Sequence, residues 1–126
     1  MRPGRMRPAV PRLLALVVLI AACAPMASPS SSPTPVSTDR VTILEPSASI
    51  ETFVYSPGLI QVAAGTKVTW HNAGQQFHTV TSDSTGRPFD LSVDPGKEVT
   101  FTFVQIGTFP YHCGVHPQMK GTVVVR

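Results

Sequence analysis

Residues 107–121 read GTFPYHCGVHPQMKG and contain the most informative motif of the chain. Within it Cys113, His116 and Met119 follow a C-x-x-H-x-x-M spacing, so one short loop offers a thiolate, an imidazole and a thioether. A second imidazole would complete the His2Cys set with a weak axial Met that holds a blue copper ion. His78, in the segment FHTV, is the best-placed second histidine. The predicted metal site is therefore His78, Cys113, His116 and Met119.

The residues around this motif resemble those of small cupredoxins of the plastocyanin and amicyanin type. The resemblance covers residues 50–126, including AGTKVTWHN, His78 and the closing GTVVV. It implies a Greek-key β-sandwich with one type 1 copper ion that carries single electrons. The short spacing from Cys113 to Met119 is similar to the amicyanin loop. Phe77 stands where the family often has Pro, and Thr79 where it often has Asn, but neither departure removes a ligand.

The pattern from Asp39 onward predicts an all-β domain. Short runs rich in Val, Ile, Thr and Phe are separated by Gly, Pro, Asn and Asp, which is typical of a sandwich or barrel. Alternation along the strands predicts that Trp70 lies in the core and that His112 points to the opposite face from Cys113. The resemblance implies that the domain is a Greek-key sandwich, and the pattern predicts about eight strands, near residues 41–45, 49–55, 59–63, 66–72, 77–81, 97–104, 108–113 and 121–126.

The first 38 residues have a different character. Residues 1–22 combine a basic start with the apolar run 13–22, which is too short for a stable membrane span and is typical of a signal peptide. The sequence LIAAC ending at Cys23 resembles a bacterial lipobox, which implies cleavage before Cys23 and attachment of a lipid to its thiol. Residues 23–38 are rich in Ser and Pro and are predicted to be a tether. The copper-binding domain is then expected at 39–126.

Cleavage before Cys23 would change the charge of the protein. The whole chain has a formal net charge of +3, but four Arg residues precede Cys23, and six basic and seven acidic residues follow it. The excess of basic over acidic residues therefore comes from the targeting segment. A nucleic-acid partner is excluded because the remaining basic residues are scattered among acidic ones. We expect an exported monomer that is lipid-anchored to the cell membrane, faces the periplasm or the cell exterior, and meets redox partner proteins transiently.

Several alternatives apply to individual residues of the site. Cys23 and Cys113 could form a disulfide, although each has a separate role in this interpretation. Met119 could be a core residue, with Gln118 supplying an axial oxygen instead. Zinc also accepts Cys and His, but a thioether is a poor zinc ligand, and copper binds a shared N/S site more strongly. His71 and His112 are predicted to lie outside the site.

Two residues are predicted to support the ligands from a second layer. The Thr79 hydroxyl is placed to bond the ligand loop, and the backbone N–H of Val115 is placed to reach the Cys113 sulfur.

The sequence favours a binding protein over an enzyme. It contains no Gly-rich phosphate loop, no nucleophile elbow and no pair of carboxylates near the histidines. The alternative function, from a different class, is a copper-delivery lipoprotein that handles the metal rather than the electron. A carrier would keep its copper in both oxidation states, whereas a delivery protein would release Cu(I) to an acceptor.

Overall fold

The computed structural model describes residues 31–126, and these residues form a β-sandwich. The described chain has one short 3-10 turn, at Ile50–Thr52, and no α-helix. Within residues 31–126 no helix has the length and apolar character that crossing a membrane requires. The ten strands are β1 (Val36–Ser37), β2 (Arg40–Leu44), β3 (Val54–Ser56), β4 (Leu59–Val62), β5 (Thr66–Asn72), β6 (His78–Ser82), β7 (Asp90–Val93), β8 (Glu98–Phe103), β9 (Gly107–His112) and β10 (Lys120–Val125).

The strands form two mixed sheets that pack face to face. The six-stranded sheet has the order β1-β4-β10-β9-β6-β7, and the four-stranded sheet has the order β3-β2-β5-β8. β9 and β10 are antiparallel neighbours, with His112 opposite Lys120 at one end and Gly107 opposite Val125 at the other. The loop 113–119 therefore closes the His112 end of this pair, and we call that end of the sandwich the ligand end.

The core lies between the sheets and is centred on aromatic side chains. Trp70 is fully buried, and its indole N–H donates a hydrogen bond to the Tyr111 hydroxyl over 3.1 Å. Alternation along β5 places Val68 and Trp70 in the core, while His71 on the opposite face is half-buried, as the sequence predicts. Burying such large apolar surfaces is the main favourable contribution to folding, so these rings hold the two sheets together.

The all-β prediction is confirmed, but the structure has ten strands where the sequence predicts about eight. The additional strands are two short edge strands, β1 and β7. β1 lies at the end of the predicted tether, and β7 lies in a connection between two predicted strands. β1 has two residues and β7 has four, so each is too short for an apolar alternation to identify it as a strand in sequence.

The predicted strand at 49–55 is wrong in its first half. Ile50–Thr52 form the 3-10 turn, and only Val54–Ser56 pair with β2. Ser47 accepts a hydrogen bond from the Ser49 N–H, and the Thr52 hydroxyl donates to the Ser49 carbonyl over 2.8 Å. These local hydrogen bonds from Ser and Thr side chains offer the backbone an alternative to a strand ladder. The connection between β2 and β3 lies against the ligand end, where the Ile50 carbonyl accepts a hydrogen bond from the Gln118 side-chain amide.

Candidate metal centre

Strand pairing brings the predicted ligands together at the ligand end. His78 is the first residue of β6, Cys113 directly follows β9, and His116 lies in the loop between β9 and β10. β6 and β9 are antiparallel with Thr81 opposite His112, so continuing this register toward the start of β6 places His78 beside the loop. Two ligands thus come from one loop and the third from the neighbouring strand.

The three side chains meet at their metal-binding atoms. The Cys113 Sγ lies 3.7 Å from the Nδ1 of His78 and 3.7 Å from the Nδ1 of His116, and the two Nδ1 atoms are 3.2 Å apart. His78 and Cys113 are fully buried, and His116 is 8% exposed. Within residues 31–126 this is the one group of three or more His, Cys, Asp or Glu side chains arranged to hold a metal ion.

The spacing of these atoms fits a trigonal metal ion. A point equidistant from the three atoms lies about 2.1 Å from each of them, close to the usual lengths of transition-metal bonds to imidazole (~2.0–2.1 Å) and thiolate (~2.3 Å). Burying three polar groups that face one another is costly unless they share a partner. A cation at their centre supplies that partner, and the two-imidazole, one-thiolate set is the one that suits type 1 copper.

The protonation state of His116 also favours metal binding. Burial lowers the pKa of this imidazole below its ordinary value, and the neighbouring His78 lowers it further, while Glu45 acts in the opposite direction. A metal ligand must present a free lone pair, which a protonated imidazole lacks. His116 is therefore held in the form that binds metal at neutral pH.

Thr79 supports the ligands through both its backbone and its side chain. Its backbone N–H donates to the Cys113 Sγ over 3.3 Å, and its hydroxyl oxygen accepts a hydrogen bond from the Gly114 N–H over 2.7 Å. The predicted contact between the Thr79 hydroxyl and the ligand loop is therefore present. Among the described residues the Thr79 N–H is the backbone donor found on the Cys113 sulfur, and the predicted donation from the Val115 N–H is not observed there.

Met119 lies at the end of the same loop and is 1% exposed. Its N–H donates to the His116 carbonyl over 2.9 Å, and its carbonyl accepts from the Cys113 N–H over 3.1 Å, so its backbone closes the loop on the ligands. Gln118 is exposed, and its side-chain amide donates to the Ile50 carbonyl. This contact holds the Gln118 side-chain amide at the protein surface. Met119 as the axial ligand stays a prediction.

Met119→Gln tests the axial role of the thioether. A soft thioether favours Cu(I), whereas an amide oxygen is a harder donor that favours Cu(II), so we expect the reduction potential to fall. Each tenfold change in the relative affinity for the two oxidation states corresponds to about 59 mV. A redox titration measures the shift, and Met119→Leu is the control for apolar packing. A potential unchanged in Met119→Gln would show that Met119 only fills space.

The other two histidines lie outside this cluster. The Nδ1 of His112 contacts Asp83 at 2.6 Å, and the Nδ1 of His71 lies 3.9 Å from the Glu98 carboxylate. Cys113 is a free, buried cysteine. Cys23, the predicted lipid attachment point, lies outside the described residues.

The structure also places two residues at the site that the sequence does not single out as ligand neighbours. The ring of Phe53 meets both imidazoles edge-on, with centroids 5.7 Å from His78 and 5.2 Å from His116. Glu45 contacts the Nε2 of His78 at 2.9 Å. Burial raises the pKa of Glu45, but hydrogen bonds from Gln75, His78 and Gln76 outweigh burial and hold this pKa below its ordinary value. No motif marks either contact, because Glu45 and Phe53 are distant in sequence from the ligands.

Comparison with known proteins agrees with this geometry. A family model described as a cupredoxin-like domain matches residues 13–125. A purple cupredoxin from Nitrosopumilus maritimus superposes with a TM-score of 0.61 at 24% identity, over 69% of this chain and 98% of that chain, and is similar in fold alone. A reduced mutant of amicyanin has a TM-score of 0.59 at 28% identity, over 78% of this chain and 95% of that chain.

A second amicyanin mutant, described as a reduced Cu(I) form at pH 4, has a TM-score of 0.58 at 26% identity. The match covers 77% of this chain and 87% of that chain. The prediction of a sandwich with a type 1 copper cofactor therefore agrees with the fold, with the family match and with the three buried ligand atoms.

Proposed function

Because this chain belongs to the family of cupredoxin-like domains, we propose that it is a type 1 copper protein that carries single electrons between redox partners. The observation that carries the proposal is the buried triangle of His78, Cys113 and His116, whose atoms fit one copper ion. When bound, copper supplies a couple between Cu(I) and Cu(II) that exchanges one electron at a time.

The residues around the triangle have three roles in this function. His78 and Cys113 are fixed by β6 and the end of β9, so the ligand atoms keep their positions in both oxidation states. Phe53 covers both imidazoles and excludes water from that side. His116 is the most exposed of the three ligands, so it is the ligand nearest to a docking partner.

Addition of Cu(II) to the full-length chain tests the proposal. We expect one equivalent to produce an intense blue absorption from charge transfer between the Cys113 thiolate and copper, and we expect the colour to disappear and return on reduction and reoxidation. A chain that stays colourless with bound copper would overturn the proposal. Copper delivery is the competing function, and ready loss of Cu(I) to a chelating acceptor would favour it. The full burial of His78 and Cys113 supports retention.

We also propose that partners dock at the ligand end. We define the apolar rim as Ile50, Phe77 and Val115, whose side chains are 49%, 41% and 51% exposed. Val115 and Phe77 directly precede His116 and His78 in sequence, and the Ile50 carbonyl accepts a hydrogen bond from the ligand loop. Exposed apolar groups that cluster in one place favour contact with another protein. A small apolar contact of this kind suits partners that bind briefly and then separate.

Val115→Glu tests this docking surface. We expect a buried charge at the contact to cost roughly 1–3 kcal/mol of binding free energy, which slows electron exchange with the partner by about 5- to 150-fold. Copper affinity should be unchanged because Val115 is not a ligand. Val104→Glu is the matched control, since Val104 is 72% exposed and lies at the opposite end of β9. Equal electron-exchange rates in the two variants would exclude the apolar rim.

For its location we propose that the chain is anchored to the outer face of the cell membrane by a lipid on Cys23. The sequence LIAAC supports this proposal, and two acyl chains are sufficient for stable anchoring. We expect Cys23→Ala to move the protein from the membrane fraction to the soluble fraction. Mass spectrometry of the wild-type N-terminus is the direct measurement, and an unmodified Cys23 in a soluble wild-type protein would contradict the proposal.

A further inference from the structure

The connection between β2 and β3 brings a carboxylate to the side of His78 that faces away from copper. The Oε1 of Glu45 lies 2.9 Å from the Nε2 of His78 and accepts a hydrogen bond from the Gln76 N–H over 2.8 Å. Its Oε2 accepts from the Gln75 N–H over 2.9 Å. The Glu45 side chain is 11% exposed and the His78 side chain is fully buried. Three donors therefore fix the carboxylate in one orientation.

This contact determines which nitrogen of His78 carries the proton. An ionised carboxylate only accepts hydrogen bonds, so the Nε2 of His78 must donate to Glu45. In the neutral ring the Nδ1 then keeps its lone pair, and it is this atom that lies 3.2 Å from the Nδ1 of His116 and 3.7 Å from the Cys113 Sγ. A histidine whose outer nitrogen donates to a carboxylate is both oriented and made a better metal ligand.

The Glu45 carboxylate occupies the space that a side chain at Gly74 would fill. A Cβ at Gly74 would lie 2.2 Å from the Glu45 Oε1 and 2.3 Å from its Cδ, far inside any van der Waals contact. Gly74 is not among the glycines with positive φ, so its backbone conformation would accept alanine. A methyl group at position 74 would therefore displace the Glu45 carboxylate from its place beside His78.

We propose that Glu45 is a positioning residue that holds His78 with its Nδ1 toward copper and stabilises Cu(II) relative to Cu(I). This inference rests on the proposed copper function. The negative charge of Glu45 is attracted more strongly to Cu(II) than to Cu(I), and the low exposure of the site weakens screening by water. Glu45 thus lowers the reduction potential that the four predicted ligands alone would give.

The first experiment uses the full-length chain without copper and measures the His78 ring by nitrogen-15 NMR. In the neutral form of the ring we expect the wild-type His78 Nε2–H to be protected from exchange with water and the Nδ1 to carry no proton. Glu45→Ala should expose the Nε2–H to exchange and mix the two tautomers. Glu51→Gln is the matched control, because Glu51 lies on the same connection and is exposed. A neutral wild-type ring that carries its single proton on Nδ1 would overturn the inference.

The second experiment measures the affinities for Cu(II) and Cu(I) separately. We expect Glu45→Ala to weaken Cu(II) binding by about 10- to 100-fold. In Glu45→Gln, which removes the charge at similar size, we expect the ratio of Cu(II) to Cu(I) affinity to fall about tenfold, equivalent to a rise of about 59 mV in potential. Glu51→Gln should leave both values unchanged. A Glu45→Gln protein with the potential of Glu51→Gln would overturn the inference.

Gly74→Ala provides a test in which Glu45 itself is retained. The new methyl group displaces the carboxylate, so this variant should raise the potential in the same direction as Glu45→Gln. The double variant should add little to either change, because both remove the same contact. A Gly74→Ala protein with wild-type potential and a wild-type His78 spectrum would overturn the inference. If the proposed copper function itself is wrong, the wild-type chain will form no blue Cu(II) protein. If only this inference is wrong, the wild-type protein will still be blue.

Discussion

The Cys113→Ser protein is expected to be colourless with Cu(II) and inactive in electron transfer, while its β-sandwich remains folded. The thiolate is the ligand that gives the copper its intense absorption, and a serine hydroxyl neither ionises at neutral pH nor matches the softness of sulfur. Cys113 is fully buried between the two imidazoles. Serine is close to it in size, so packing of the core should change little.

Visible absorption and circular dichroism together check this expectation. The first should lose the blue band, and the second should retain the β-sheet signal. His112→Gln is the neighbouring control, because His112 contacts Asp83 and lies outside the metal cluster. It should keep the colour. A blue Cys113→Ser protein, or a colourless His112→Gln protein, would require a different set of ligands.

Gly121→Ala is expected to be the most destabilising single-methyl change in the ladder between β9 and β10. Gly121 is paired with Tyr111, and a Cβ there would lie 2.3 Å from the Cζ of the tyrosine ring. The ring cannot easily move, because it is 1% exposed and accepts a hydrogen bond from Trp70. Overpacking and loss of this buried hydrogen bond should cost about 3 kcal/mol, which lowers Tm by roughly 12–24 °C.

Thermal unfolding of the metal-free protein measures this cost without a contribution from copper. Gly58→Ala is the matched control, because its Cβ would meet its nearest neighbour at an ordinary 3.4 Å. We expect Gly58→Ala to change the free energy of unfolding by less than about 1 kcal/mol. In a Tyr111→Leu background, Gly121→Ala should cost much less, since the ring that it strikes is absent. Equal costs in both backgrounds would show that the clash is not the cause.

The ligands that share one loop can be predicted from the sequence more directly than the residues that the fold brings to them. Cys113 and His116 share one loop, so their spacing alone identifies them as partners. His78 comes to them through the pairing of β6 with β9, which the resemblance supplies and local pattern does not. Glu45 could not be predicted, because its contact depends on how the connection between β2 and β3 curls.

The fold shows the same division between regular and irregular segments. Trp70 is identified as a core residue because apolar alternation along β5 is regular. The strand predicted at 49–55 fails because Ser47, Ser49 and Thr52 form hydrogen bonds within the connection. β1 and β7 pair at sheet edges with short, partly polar sequences, and such strands are fixed by their neighbours rather than by their own composition.

The close approach of Glu45 to Gly74 also links the two positions in evolution. A descendant that acquires a side chain at position 74 while it keeps Glu45 must move the flexible carboxylate out of that space. Such a chain keeps the glutamate but loses its contact with His78, so nothing at this site then favours an acidic residue at position 45. Among related sequences, an acidic residue at position 45 should therefore occur with glycine at position 74, and the two should be inherited as a pair.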